Sequence, residues 1–229
     1  KGIVLNDAIE LNMNNTIIQD ALYALEIDGE IHHLDIHDNL FVNNYLGIYI
    51  LPYTRTLNFH LFIGNQFLFN GFRKAYIGMS PSSNQIPFEQ YGKPYAGIDV
   101  GHIDNFSIGS NLYCSMPNHF DNLYNGIVSN RTSLKIQNSE FKNILTNEWL
   151  GYLPPKGNAI YLRSPSNNQL KIQGNGINSP AMFENCRYGV WADGGDLSIT
   201  GVYMKSMFQG VNYFGWNDMS NILINNNRI

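Results

Sequence analysis

Charge is what this chain has least of. Only 14% of its 229 residues are Asp, Glu, Lys or Arg, against about 25% in ordinary globular domains. Coiled coils and long solvated helices need charged faces, so both are excluded. The charge present is mildly acidic, 18 carboxylates against 14 basic residues for a net −4. A nucleic-acid binder carries a basic face instead, so no nucleic acid is expected as partner. No apolar run reaches the roughly 20 residues that span a bilayer, so no membrane-spanning segment is expected. The only cysteines are Cys114 and Cys186. Two do not make a disulfide framework, and no other Cys or clustered His stands near either one to hold a metal. They read as buried, small apolar side chains. The chain has no nucleophile elbow, phosphate loop or Ser-His pairing. No metal, no cofactor and no identifiable catalytic residue is expected.

What the chain does have is asparagine, 32 residues or about one in seven, with 21 Gly, 14 Tyr and 13 Phe. Asn is a poor helix former and a good turn former, while aromatic residues favour strands. Many short strands joined by tight corners are therefore expected. Hydrophobic residues at 44% are enough for a packed core.

The sequence also repeats. One copy reads Leu34, Ile36, Asn39, Phe41, then Gly47-Ile48-Tyr49-Ile50. An earlier copy, Leu11, Met13, Asn15, Ile18, then Ala24-Leu25-Glu26-Ile27, has the same internal spacing and lies 23 residues upstream. Later copies are anchored on Ile63, Ile108, Ile136, Ile172, Ile199 and Ile224. Period-two alternation within each copy predicts strands with one buried face. No copy is long enough to close its own core. If each makes one circuit and the next stacks on it, equivalent strands align in parallel about 4.8 Å apart. One inward ladder would then run Met13, Ile36, Ile63, Ile108, Ile136, Ile172, Ile199, Ile224. A second would run Ile18, Phe41, Leu68, Tyr113 or Phe120, Phe141, Phe183, Met204. Nearest-neighbour stacking supplies the stability of such an array. Residues 1–229 read as a single segment of a longer solenoid, since both ends fall inside a copy.

This pattern resembles the right-handed parallel β-helix proteins, the pectate-lyase-like superfold. The resemblance implies an all-β solenoid of about seven coils with loop insertions in the middle coils. The Asn-rich phrases Phe41-Val42-Asn43-Asn44 and Ile224-Asn225-Asn226-Asn227 resemble secreted surface proteins of Bacteroidota-type bacteria. What that implies is an extracellular or cell-surface location in a bacterium.

The repeat is interrupted between about Phe69 and Ala96, again from Leu145 to Lys156, and near 114–119 and 174–181. Such insertions map to loops, often on the binding face. The residue between the two aliphatics of each closing strand should point outward: Glu26, Tyr49, Asp99, Val128, Tyr161, Trp191, Asn212. Two positions later come Asn130, Arg163 and Asp193. With Trp149 and Tyr152 from the second loop, the residues Tyr161, Arg163, Trp191 and Asp193 make a candidate substrate-binding groove. Aromatic faces flanked by hydrogen-bonding groups suit a sugar ring. The competing reading is that these aromatics form a satellite core.

The expected function is a structural, adhesin-like or glycan-binding module, with a glycan or another cell-surface protein as partner. The alternative is a polysaccharide lyase or glycoside hydrolase. Carboxylates in the pattern such enzymes need are scarce: Asp193 and Asp196 bracket a Gly-Gly turn. Lys135 and Lys171 should neighbour each other on adjacent circuits with only Ser107 and Ser198 beyond them. The dense group His32, His33, His37 with Asp35 and Asp38 reads as surface and corner residues, because His33, Asp35 and His37 face opposite to His32.

Overall fold

The computed structural model describes residues 2–7, 10–30, 32–51, 59–70, 94–103, 105–113, 116–145, 157–163, 168–174, 182–215, 221–225 and 227–228. With one break, after the third opening strand, each repeated strand pairs in parallel with its equivalent one copy later. The closing strands are β1 (Ile3–Asn6), β4 (Tyr23–Asp28), β7 (Leu46–Ile50), β10 (Ala96–Gly101), β13 (Asn125–Asn130), β16 (Asn158–Arg163), β19 (Tyr188–Asp193) and β22 (Gln209–Phe214). They form one eight-stranded sheet in that order, the closing sheet.

A seven-stranded sheet contains β3 (Ile17–Gln19), β6 (Leu40–Val42), β9 (Gln66–Leu68), β12 (Asn118–Asp121), β15 (Ser139–Lys142), β18 (Phe183–Glu184) and β21 (Met204–Lys205). The opening strands come in two blocks. One is β2 (Glu10–Asn14), β5 (His33–His37) and β8 (Phe59–Ile63). The other is β11 (Phe106–Ile108), β14 (Leu134–Gln137), β17 (Gln169–Gln173), β20 (Asp196–Thr200) and β23 (Ile222–Asn225). The blocks meet where Gly109 N–H donates to the Phe62 carbonyl at 2.7 Å and the Phe62 and Phe106 rings meet edge to face at 5.1 Å. Every third strand pairing with the next is the arrangement of a parallel β solenoid. Among the described residues there is no α-helix, only a 3-10 turn at Asn111–Tyr113.

The core is a set of ladders along the axis. Phe41, Phe67, Phe120, Phe141 and Phe183 stack ring on ring, with successive centroids 4.8, 4.8, 4.7 and 5.2 Å apart. Strand spacing in a sheet is about 4.8 Å, so the backbone repeat sets the ring repeat. Offset stacks add about 0.5–1.5 kcal/mol per pair beyond burial. Opposite the stack lies the Gly/Ala position of the repeat. A Cβ on Gly47, Gly97 or Gly126 would stand 2.5, 2.6 and 2.5 Å from the rings of Phe67, Phe120 and Phe141 respectively. Small residues recur there because the rings need that space.

The third copy departs from the sequence expectation by one residue. Ile36 pairs with Phe62, not Ile63, and Phe41 pairs with Phe67, not Leu68. Both candidates keep the same internal spacing, and Leu61-Phe62-Ile63 and Phe67-Leu68-Phe69 are apolar throughout. A buried amide ladder decides between them. Asn65 Nδ2 donates to the Ile36 carbonyl at 2.7 Å and to Asn118 Oδ1 at 3.2 Å, while Asn39 Nδ2 donates to the Met13 carbonyl at 2.8 Å and to Asn65 Oδ1 at 3.1 Å. All three Asn are at most 1% exposed. The other register would break this ladder at its middle member, and each unsatisfied buried group costs about 1–3 kcal/mol.

Asparagine also turns the corners. Asp20, Asn43, Asn122, Asn143, Asn185 and Ser206 recur at one corner with φ between 54° and 59°. Asn and Asp tolerate this left-handed conformation better than other non-glycine residues. Their side chains join circuits, as where Asn185 Nδ2 donates to Asn143 Oδ1 at 2.8 Å.

Candidate functional site

The outer face of the closing sheet carries the row expected from the repeat. Glu26, Tyr49, Asp99, Val128, Tyr161, Trp191 and Asn212 are successive register partners. Asn130, Arg163 and Asp193 form the parallel row two residues on. Of the six proposed binding residues, the structure brings together Tyr161, Arg163, Trp191 and Asp193. Trp149 and Tyr152 lie outside the described residues, as do most of both long insertions.

Asp193 organises the described four. Its Oδ2 accepts from the Tyr161 hydroxyl and its Oδ1 from Trp191 Nε1, each at 2.8 Å. The Trp191 ring meets the edge of Tyr188 at 4.9 Å and lies tilted against Phe214 at 5.0 Å. Tyr161 is only 5% exposed. Burial raises its phenol above the ordinary range, and the neighbouring Asp193 adds to this. Arg163, at the end of β16, is exposed. Although Arg163 and Asp193 are register partners, they form no ion pair, because both carboxylate oxygens are turned to the aromatic donors. On this face Tyr45, Leu46, Ala96, Val128 and Tyr161 are a buried cluster, with Tyr23, Tyr49, Tyr95 and Trp191 packed around it.

The far half of the same face has different electrostatics. Tyr23 and Tyr49 stack at 5.4 Å. Burial and the nearby Glu26 and Asp99 raise both phenols. Burial alone pushes the Asp99 carboxyl up to about 7. Sequence reasoning placed Asp99 in the outward row but gave it no role. Its signal is the acid–aromatic–acid series Glu26, Tyr49, Asp99, which only the fold shows to be partly desolvated.

The remaining candidates lie on the opening strands or at corners. Gly194 and Gly195 turn the chain with φ of 88° and 82°, sending Asp193 and Asp196 to different sheets. Asp196 Oδ1 accepts from Asn221 N–H at 2.8 Å. Lys135 and Lys171 are register partners between Ser107 and Ser198. His33, Asp35 and His37 alternate along β5, and among the described residues no three His, Cys, Asp or Glu converge to hold a metal. Cys186 is buried, and burial pushes its thiol up to about 12; Cys114 lies outside the described residues.

On the seven-stranded sheet, Asp121, Lys142, Glu184 and Lys205 alternate in sign along one register row. Beside them Glu140 takes His119 at 3.3 Å and Lys142 at 3.2 Å, which holds its carboxyl below the ordinary range. That face largely neutralises itself; the closing sheet does not. No helix among the described residues is long and apolar enough to cross a membrane. No family model, curated protein or solved structure matches the chain.

Proposed function

We propose that this chain is part of a right-handed parallel β-helix of about seven coils on a bacterial cell surface or in secretion, whose closing sheet binds glycans along its outer face. The right-handed winding rests on the strong preference of parallel crossovers for that hand. The observation that carries the functional reading is the Asp193 cluster. One carboxylate holds a half-buried tryptophan against a buried tyrosine on the outer face of the sheet, with an exposed guanidinium one step away. Positioned aromatics with a few polar groups, held on regular elements, are what recognition of a sugar surface requires.

Retention on a polysaccharide array tests this reading. Arg163→Ala and Trp191→Ala should each lose retention at least tenfold. Arg163→Ala should do so with an unchanged melting temperature, since Arg163 is exposed. Full retention by both variants, or no retention by the native chain on any polysaccharide, rejects it.

A further inference from the structure

We propose that the half of this face formed by β4, β7 and β10 binds the protonated amine of an amino-sugar polymer, with Tyr49 as its platform and the carboxyl groups of Glu26 and Asp99 on either side. This rests on the glycan reading above and names the class of sugar.

The geometry is a register relationship. Glu26 pairs with Tyr49, and Tyr49 with Asp99, so a ring stands between two carboxyl groups at steps of about 4.8 Å. Tyr23 widens the platform by stacking on Tyr49 at 5.4 Å with 29° between the ring planes. A cation over a tyrosine face is attracted by the negative face of the ring, more strongly as the site dries.

Charge points the same way. Strands β1, β4, β7 and β10 carry Glu26, Asp28 and Asp99 and no Lys, Arg or His. The strand beyond Asp99 presents Val128 in register, which is apolar and supplies no donor.

Asp99 is crowded by its neighbours, although part of it still meets water, and no hydrogen bond or ion pair reaches it among the described residues. Burying a carboxylate without a partner is costly, so such a group keeps its proton or takes a cation. Its carboxyl is correspondingly pushed up to about 7. Sugar hydroxyls would offer it single neutral hydrogen bonds. An ammonium offers up to three donors and a full opposite charge. The contrast with the other half is direct: Asp193 is already satisfied by Tyr161 and Trp191, and Arg163 beside it would repel an amine.

The test is calorimetric titration at pH 6 with three hexamers: β-1,4-linked glucosamine, its N-acetylated form, and galacturonate. The glucosamine hexamer should bind at least tenfold tighter than the other two, and more weakly as salt rises. Asp99→Asn and Glu26→Gln should each weaken it at least fivefold, while Arg163→Gln should not. Asp99→Asn keeps the shape of a side chain that already tolerates neutrality, and its melting curve verifies folding. Equal binding of the acetylated and free hexamers, or native affinity in Asp99→Asn, overturns the amine assignment and leaves the glycan reading standing. Failure of all three hexamers with retention on the array has the same meaning. Failure of the hexamers and the array together overturns both.

Discussion

The Tyr161 hydroxyl donates to Asp193 Oδ2 at 2.8 Å across one step of the closing sheet. The acceptor lies on the next circuit, 32 residues away in the chain, and the parallel register alone brings the two together. The same carboxylate receives Trp191 from its own strand. Replacing Asp193 with Ala would leave the buried Tyr161 hydroxyl and the Trp191 indole N–H without their acceptor. We expect a loss of about 1–3 kcal/mol in chemical denaturation, with a change in tryptophan emission in the folded state. An unperturbed midpoint and spectrum would show that Asp193 does not hold the pair.

The amide ladder makes a sharper stability prediction. In Asn65→Ala the Ile36 carbonyl and the Asn39 N–H both lose the partner that Asn65 supplies. Each orphaned buried group costs about 1–3 kcal/mol. Asn12 is an exposed control whose side chain bonds Glu10; Asn12→Ala should change stability by less than about 0.5 kcal/mol. Similar midpoints for the two variants would count against the ladder.

Register in the third copy can be read by truncation. Phe67 is 2% exposed and sits between the rings of Phe41 and Phe120, so Phe67→Ala should cost about 3–5 kcal/mol. Leu68 is only half-buried and should cost about 1 kcal/mol. The reverse order would restore the Ile63 and Leu68 register.

Asp99 gives stability a defined pH dependence. Its carboxyl rises from an ordinary 3.8 to about 7 on folding, so the folded chain holds a proton that the unfolded chain has released. This contribution favours the folded state fully below pH 4, declines as pH rises, and is gone above about pH 7. Denaturation midpoints measured from pH 4 to 8 should fall across that window in the native chain. The decline should be shallower in Asp99→Asn. Parallel profiles would remove Asp99 as the cause.

The solenoid was legible because its repeat is written locally. Ile48-Tyr49-Ile50 and Leu34-Asp35-Ile36 alternate, and a small residue precedes the aliphatic pair of the closing strands, so strand positions and the outward row follow from spacing. Register in the third copy was harder to read. Leu61-Phe62-Ile63 offers apolar side chains at both parities, and the deciding contacts of Asn65 reach residues 29 positions back and 53 ahead. The candidate site divides the same way. Tyr161, Trp191, Arg163 and Asp193 were found from their places in the repeat, but the significance of Asp99 was missed, because desolvation is a property of neighbours.

The amino-acid order by itself determined which residues stand in line: strands of period two, corners of Asn and Gly, and one copy stacked on the last. Tertiary structure decided what each line does. Whether a carboxylate is satisfied, as at Asp193, or desolvated, as at Asp99, depends on groups that meet only after winding, since hydrogen bonding and loss of water act through space and not along the chain.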